Sequence, residues 1–379
     1  MNARTPHTPT ARRRTGIALV SCASALSLTA CGVIDGIGGG DSSASPDKGD
    51  AIRVGLLLPD KDTARFEKFD HPLIKKEVGN LTKDRGKVVY ANAESSAQKQ
   101  SEQFQQMIED QVDVILVDAV DAKATASDVE KAKDAGIPVI AYDRLAEGPI
   151  DAYVSHDNEL VGEVQGRSLV EELGSKAASS KVVMMNGDPA DPNTARFKKG
   201  ALGELEGEVN IVKKYDTQKW SPEVAKANME KAIATVGADG IAAVYSANDG
   251  MAGAVIDALA EAGVSDLPPV TGQDANLDAV QRIVAGEQFM TVYKSFLLEA
   301  TNAAKMAVYR AQNRDIEFDA LTQDSVDSPT LEDIPAQLVS VVALTQKNIE
   351  DTVIQDGVYT VDQICTPEYA TDCAKIGLN

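Results

Sequence analysis

Positive charge is scarce in this chain. Its 379 residues carry 37 Lys and Arg against 58 Asp and Glu, a formal net charge of −21. Nucleic acid and anionic lipid both demand basic patches, so this balance argues against either as a partner. Reactive side chains are few as well, with 3 His and 4 Cys. No G-x-S-x-G, no P-loop and no His cluster occurs, which removes the common sequence signs of hydrolases, nucleotide enzymes and metal enzymes. No apolar run is long enough for a spanning helix. Trp occurs once, as Trp220.

What is present begins with a targeting segment over residues 1–30. Arg12, Arg13 and Arg14 form a basic region, Gly16 to Leu28 a short apolar one, and Leu28-Thr29-Ala30-Cys31 a small-residue ending. The Leu-x-Ala-Cys ending resembles a bacterial lipobox, which implies acylation of Cys31; a plain secretory signal with an incidental Cys is the alternative. Residues 31–50 then read as the acylated Cys and a flexible tether, rich in Gly, Ser and Asp. A lipid anchor followed by a tether places the folded part outside the cell, at the outer face of the cytoplasmic membrane. Losing the signal removes four Arg and no acid, leaving 33 basic against 58 acidic residues, or −25. In an oxidising compartment, Cys365 and Cys373 read as a disulfide stapling the tail. His71 and His156, the remaining histidines, lie far from that pair in sequence, so no metal site is expected.

Strand and helix patterns alternate from Ile52 onward. Strands are expected at 52–58, 87–90, 112–117 and 139–142, with helices between them, then a bare strand at 152–155. The rhythm restarts with a helix at 159–173 and runs through strands at 181–185, 209–215, 241–246, 270–271 and 289–293. A long helix at 296–313 follows, then a last strand pattern at 337–342. Alternation of this kind means parallel sheets covered by helices. The strands at 139–142 and 152–155 have too little between them for another βαβ unit, so the chain is expected to leave one lobe there and enter a second. The fold class is therefore α/β, two similar doubly wound parallel-sheet lobes joined by a three-strand hinge. The N-terminal lobe is expected at 51–154 plus 293–330, the C-terminal lobe at 155–292 plus 331–350, and a disulfide-bearing tail at 351–379. Crossings are expected near Val154-Ser155, near Val292-Tyr293 and before Gln337.

In such sheets ligands bind outside the carboxyl ends of the strands. Those ends carry Arg65-Phe66, Asp143-Arg144, Asn193, Trp220, Asn248, Asp274 and Lys294. A sugar hydroxyl both donates and accepts, so carboxylates and amides facing Arg or Lys suit it. Phe66 and Trp220, one from each lobe, could cover the apolar faces of a pyranose ring. Singly each has a plainer reading. Asp143-Arg144 could be a solvated surface pair, Asn248 a helix cap, Trp220 a core residue and Lys294 a solvated strand end. Their common position at strand ends favours the binding reading.

The pieces Ala141-Tyr142-Asp143-Arg144, Tyr153-Val154-Ser155 with Asp157-Asn158, Asp188-Pro189-Ala190-Asp191 leading to Asn193, and Ala247-Asn248-Asp249 occur in order. Gly272-Gln273-Asp274-Ala275, Met290-Thr291-Val292-Tyr293-Lys294 and Asp351-Thr352-Val353-Ile354 follow. Over roughly Arg53 to Gly357 the chain resembles the sugar-binding proteins of bacterial ABC importers, with the xylose-binding branch nearest. The resemblance implies the type I periplasmic binding protein fold, no enzymatic activity and no cofactor. It implies D-xylose, or another aldose such as glucose, ribose or arabinose, as ligand of a monomer, and an ABC permease with its ATPase as partners. Arg65, Arg144, Asn193, Asn248, Asp274 and Lys294 are the implied polar contacts and Trp220 an aromatic wall. Phe66 stands where the nearest relatives have Trp, and His156 and Ser295 replace a usual Phe and Pro.

Three other functions are weighed. A glycosidase using Asp143 and Asp274 needs a general acid of raised pKa, whereas Arg144 and Lys294 beside them favour ionised carboxylates. A transcription regulator of this fold needs a basic helix-turn-helix where this chain has a signal and tether. A sensor subunit signalling to a receptor or kinase differs only in its partner.

Overall fold

The computed structural model describes residues 49–378. The expected signal at 1–30, the acylation site Cys31 and nearly all of the tether lie outside the described residues. The first run is β1 (Arg53–Leu58), α1 (His71–Thr82), β2 (Lys87–Asn92), α2 (Ala97–Glu109), β3 (Val114–Val117), α3 (Ala122–Asp134), β4 (Val139–Tyr142) and β5 (Ala152–His156). A second run holds α4 (Asn158–Leu173), β6 (Lys181–Asn186), α5 (Pro192–Leu205), β7 (Asn210–Asp216), α6 (Pro222–Val236), β8 (Ala243–Ser246), α7 (Asp249–Glu261), α8 (Leu277–Ala285) and β9 (Thr291–Lys294). The chain closes with α9 (Phe296–Ala311), α10 (Asp315–Leu321), β10 (Asp324–Val326), β11 (Ile334–Val339), β12 (Val341–Leu344), α11 (Val361–Ile364) and α12 (Ala370–Ile376).

Local chemistry sets many of these boundaries. Ser96, Asp121, Asp157, Asp191, Ser221 and Asn248 each accept a backbone N–H of the helix they open, satisfying donors that have no partner inside the helix. Gly286, at φ 80°, ends α8 in a left-handed turn that costs glycine little.

The first sheet has the order β10-β11-β5-β4-β3-β1-β2. It is parallel except for the β10–β11 pair. Its core strands alternate between two helical layers. Val54, Leu56, Leu58, Ile140 and Tyr142 pack with α1 and α9 on one face. Leu57, Val117, Val139 and Ala141 pack with α2 and α3 on the other, as the two-residue period of a strand requires. Strand order reverses at β1, which lies between β2 and β3, and the crevice at such a switch point is where ligands enter open α/β sheets.

The second sheet, β7-β6-β8, is prolonged by parallel bridges from Val244 to Val270 and from Gln273 to Val292. Helices α4 and α5 cover one face, α6 and α7 the other. The segment expected as a strand at 270–271 is thus a single bridge. Strand β9 pairs antiparallel with β12, so Tyr293 and Lys294 lie in a small hinge sheet rather than in the first sheet.

The last strand pattern needs correction. What the sequence presents as one strand is two, β11 and β12, separated only by Ser340. Residues 334–339 belong to the first sheet, where Ala336–Val339 register with Tyr153–His156. The C-terminal lobe therefore does not begin again at 331, and the third crossing follows Val339 rather than preceding Gln337. The cause is burial. Every residue of β5 is buried, and a buried strand cannot leave its edge unpaired; β11 supplies the pairing. Beyond β12 the tail packs on α8, with Phe69 from the first lobe in the same cluster. Cys365 and Cys373 are bonded there, with Cα atoms 5.9 Å apart.

Candidate ligand-binding site

All nine residues singled out at the strand ends line one small cavity. Thr63, Asp191, Phe197 and Gln273 complete its walls; the sequence reading gave none of these four a ligand contact. Among the lining residues only Thr63 and Asn248 are partly exposed, so the cavity is closed. It is closed by contacts that run from one lobe to the other. Arg144 Nε lies 2.9 Å from Asp191 Oδ2. Asn193 Nδ2 donates to the Asp143 carbonyl oxygen at 3.0 Å.

Each wall follows from a strand end. After β1 the chain enters a single π-helical turn, Phe66–Asp70, which brings Arg65 and Phe66 to the switch point. Arg65 is 2 % exposed and gripped by three carboxylates: Asp70 at 2.9 Å, Asp143 at 3.0 Å and Glu299 at 2.5 Å. Burial opposes its charge, but Asp70, Glu299 and Asp143 together hold the guanidinium above its usual range. The Arg65 and Arg144 guanidiniums also stand over the Phe66 ring, 5.4 and 5.8 Å from its centroid.

Asp143 closes β4 in a tight turn with φ 56°. Its carbonyl oxygen accepts from Tyr153, Ser155 and Asn193, and these bonds fix that turn. Burial pushes its carboxyl up, yet Arg65, Lys294 and Arg144 outweigh burial and hold it below the usual carboxylate range. Across the cleft, burial dominates at Asp191 and raises its carboxyl although Arg144 opposes the rise.

In the second lobe, Asn248 Oδ1 accepts from Met251 N–H at 2.9 Å, so the residue caps α7 and also faces the cavity. Asp274 and Lys294 pair at 2.8 Å. Burial works against the Lys294 ammonium, but Asp274 and Asp143 hold it above its ordinary range. Trp220 donates from Nε1 to Asp191 Oδ2 at 3.1 Å and stands edge-on to Phe197, centroids 6.2 Å apart. Its six-membered ring lies on Gly187, where an added Cβ would come within 2.0 Å of Cη2. A side chain at 187 would push the tryptophan out of place.

Two further observations mark this cavity. Asp143, Trp220 and Asp274 have φ of 56°, 54° and 93°, left-handed conformations that cost non-glycine residues of order 1–3 kcal/mol. Strain of this kind persists where the surroundings over-determine it, and here it turns three side chains inward. Two buried lining atoms, Arg65 Nη1 and Gln273 Oε1, have neither a hydrogen-bond nor an ion-pair partner among the described residues. One is a donor and the other an acceptor, and leaving either unmet is costly. The lining also balances its charge: Arg65, Arg144 and Lys294 face Asp143, Asp191 and Asp274. Such a wall suits a small neutral molecule that donates and accepts at many points.

Comparison with known proteins agrees with this architecture. Residues 54–315 match the family described as periplasmic binding protein domain. The D-xylose-binding periplasmic protein of Escherichia coli (strain K12) is 33 % identical over 319 residues, 83 % of this chain and 92 % of that protein. The D-xylose-binding periplasmic protein of Haemophilus influenzae is 34 % identical over 322 residues, again 83 % and 92 %. An ABC transporter solute binding protein from Clostridium phytofermentans, solved with bound β-D-glucose, superimposes with a TM-score of 0.74 at 28 % identity, covering 82 % of this chain and 99 % of its own. The chain belongs to the periplasmic binding protein family, with the two-lobed type I fold.

Proposed function

We propose that this chain is the solute-binding component of an ABC sugar importer and that it encloses one aldose ring, D-xylose first, between its lobes. The observation that carries the reading is the lining itself: three cations and three carboxylates around one small cavity, with aromatic walls on both sides. A pyranose presents alternating donor–acceptor hydroxyls at its rim and C–H groups on its faces. Arg65, Arg144, Asn193, Asn248, Asp274 and Lys294 supply the rim contacts; Phe66, Trp220 and Phe197 supply the apolar faces. Xylose is preferred because the relatives named for it are 33 % and 34 % identical over most of the chain. D-glucose is the second reading, favoured by the glucose-bound neighbour and by Phe66, smaller than the Trp that the family resemblance implies there.

In this reading the protein is exported, anchored through an acylated Cys31 and docked as a monomer on a membrane permease. The test is calorimetry with D-xylose, D-glucose, D-ribose and L-arabinose. Saturable binding that is tightest for xylose is expected. No heat with any of the four would refute the proposal.

A further inference from the structure

A buried histidine stands behind the cavity with no part in the site described so far. His156 ends β5 and its side chain is fully buried. Neither ring nitrogen has a hydrogen-bond partner among the described residues. The Nδ1 atom lies 3.5 Å from Glu299 Oε1, and that oxygen also has no hydrogen-bond partner. The other oxygen of Glu299 holds Arg65 Nη2 at 2.5 Å. Asp143 joins the group: polar atoms of Asp143, His156 and Glu299 all lie within 4.8 Å of one another. An imidazole beside a buried acceptor that itself anchors a cavity-lining guanidinium is placed to control where that guanidinium sits.

Resting on the sugar-binding reading, we propose that His156 is a positioning residue: the neutral ring, with Nδ1 3.5 Å from Glu299 Oε1, backs that carboxylate and so fixes Arg65 against the ligand, and protonation of the ring loosens that grip. The neutral imidazole carries one N–H and one acceptor nitrogen, whereas the protonated ring carries two donors and a charge. The groups around it decide the sign. Glu299 on α9, Asp143, Tyr142 and Arg144 at the end of β4, Arg65 and Asp70 at the π-helical turn, and Lys294 at the end of β9 surround this cluster. A protonated His156 would compete with Arg65 for Glu299 and add a fourth cation, with Arg65, Lys294 and Arg144, around Asp143. Acid therefore weakens sugar binding. Asp70, whose carboxyl burial pushes up to about 7, acts in the same direction through Arg65 Nε, and it remains in every variant tested.

The experiment measures Kd by calorimetry between pH 5.5 and 8, with D-xylose as probe, or D-glucose if wild type prefers it. Wild type, His156→Gln and His156→Phe are compared. At pH 8, His156→Phe is expected to bind roughly tenfold more weakly, and Gln, which keeps a neutral donor, to lie within about threefold of wild type. On acidification wild type should lose more affinity than His156→Gln. Parallel pH profiles in wild type and Gln, or Gln and Phe equally weak at pH 8, would overturn the inference. If His156→Phe does not fold, the comparison of Gln with wild type decides alone. A wild type that binds no aldose refutes the proposed function instead, a result distinguishable from either.

Discussion

Asp274 shows how a single site residue is held ready. Its backbone N–H donates to Val292 O at 3.0 Å, and its φ of 93° turns the carboxylate onto Lys294 at 2.8 Å. Asp274→Ala removes an acceptor and leaves both Lys294 and the sugar hydroxyls short of a partner in a dry cavity. The expected cost is on the order of 1–3 kcal/mol of binding, roughly ten- to a hundredfold in Kd, read by calorimetry; wild-type affinity would remove Asp274 from the site. Asp274 could be singled out in the sequence because it lies in the loop that follows the expected strand at 270–271, within Gly272-Gln273-Asp274-Ala275. Phe197 could not, because it lies on the inward face of α5 and also belongs to the core cluster of that lobe, so helical periodicity reads it as packing. Asp191 was hidden by a second role. It caps α5 through Oδ1 and meets Arg144 only through contact between lobes, which no local pattern encodes.

At the scale of elements, the closest helix pair explains two glycines. Helices α4 and α5 pack backbone to backbone: a Cβ on Gly162 would come within 2.0 Å of Phe197 O, and one on Gly200 within 1.9 Å of Glu159 O. Helix α5 carries Asn193 in its first turn and Phe197 one turn on, so this contact sets the depth at which both reach the cavity. Gly200→Ala must separate the helices, and overpacking of this kind costs about 1–3 kcal/mol. Urea unfolding should show that loss, with weaker sugar binding beside it; unchanged stability would mean that the helices separate without cost. The alternation of strands and helices was legible because periods of two and of three to four residues are written locally. The last crossing was not. Residues 334–344 hold two strands of different sheets with no glycine between them, and only the need to cover the edge of β5 assigns the first of them.

The whole molecule should respond to pH in a direction set by its buried acids. Burial pushes Asp70 and Asp249 up to about 7, against an ordinary 3.8. Between those values the folded state binds more protons than the unfolded one, so stability is greatest in acid and is lost as pH rises through 7. His71, lowered by burial, works the other way but is only half-buried. Two carboxyls moved from pH 8 to pH 6 contribute about 2–3 kcal/mol, so the sugar-free protein should melt several degrees higher at pH 6, by calorimetric scan. A higher Tm at pH 8 would contradict this. Closure itself rests on contacts between lobes that involve no ligand. Arg144 is held in its own lobe by Asp60 at 3.3 Å and reaches Asp191 at 2.9 Å, while Arg196 donates to Asp327 O at 3.2 Å. A ligand shifts an open–closed equilibrium only through contacts that it makes better in one state, and a sugar enclosed on both sides makes most of its contacts in the closed one. Asp191→Ala removes a closed-state contact that exists without sugar. The sugar-free variant should therefore be more open, and its apparent Kd should rise as the competent fraction falls. Small-angle scattering with and without sugar tests both parts. The radius of gyration should drop on saturation, and drop further in Asp191→Ala than in wild type. An equal change in the two proteins would show that the Arg144–Asp191 pair has no part in closure.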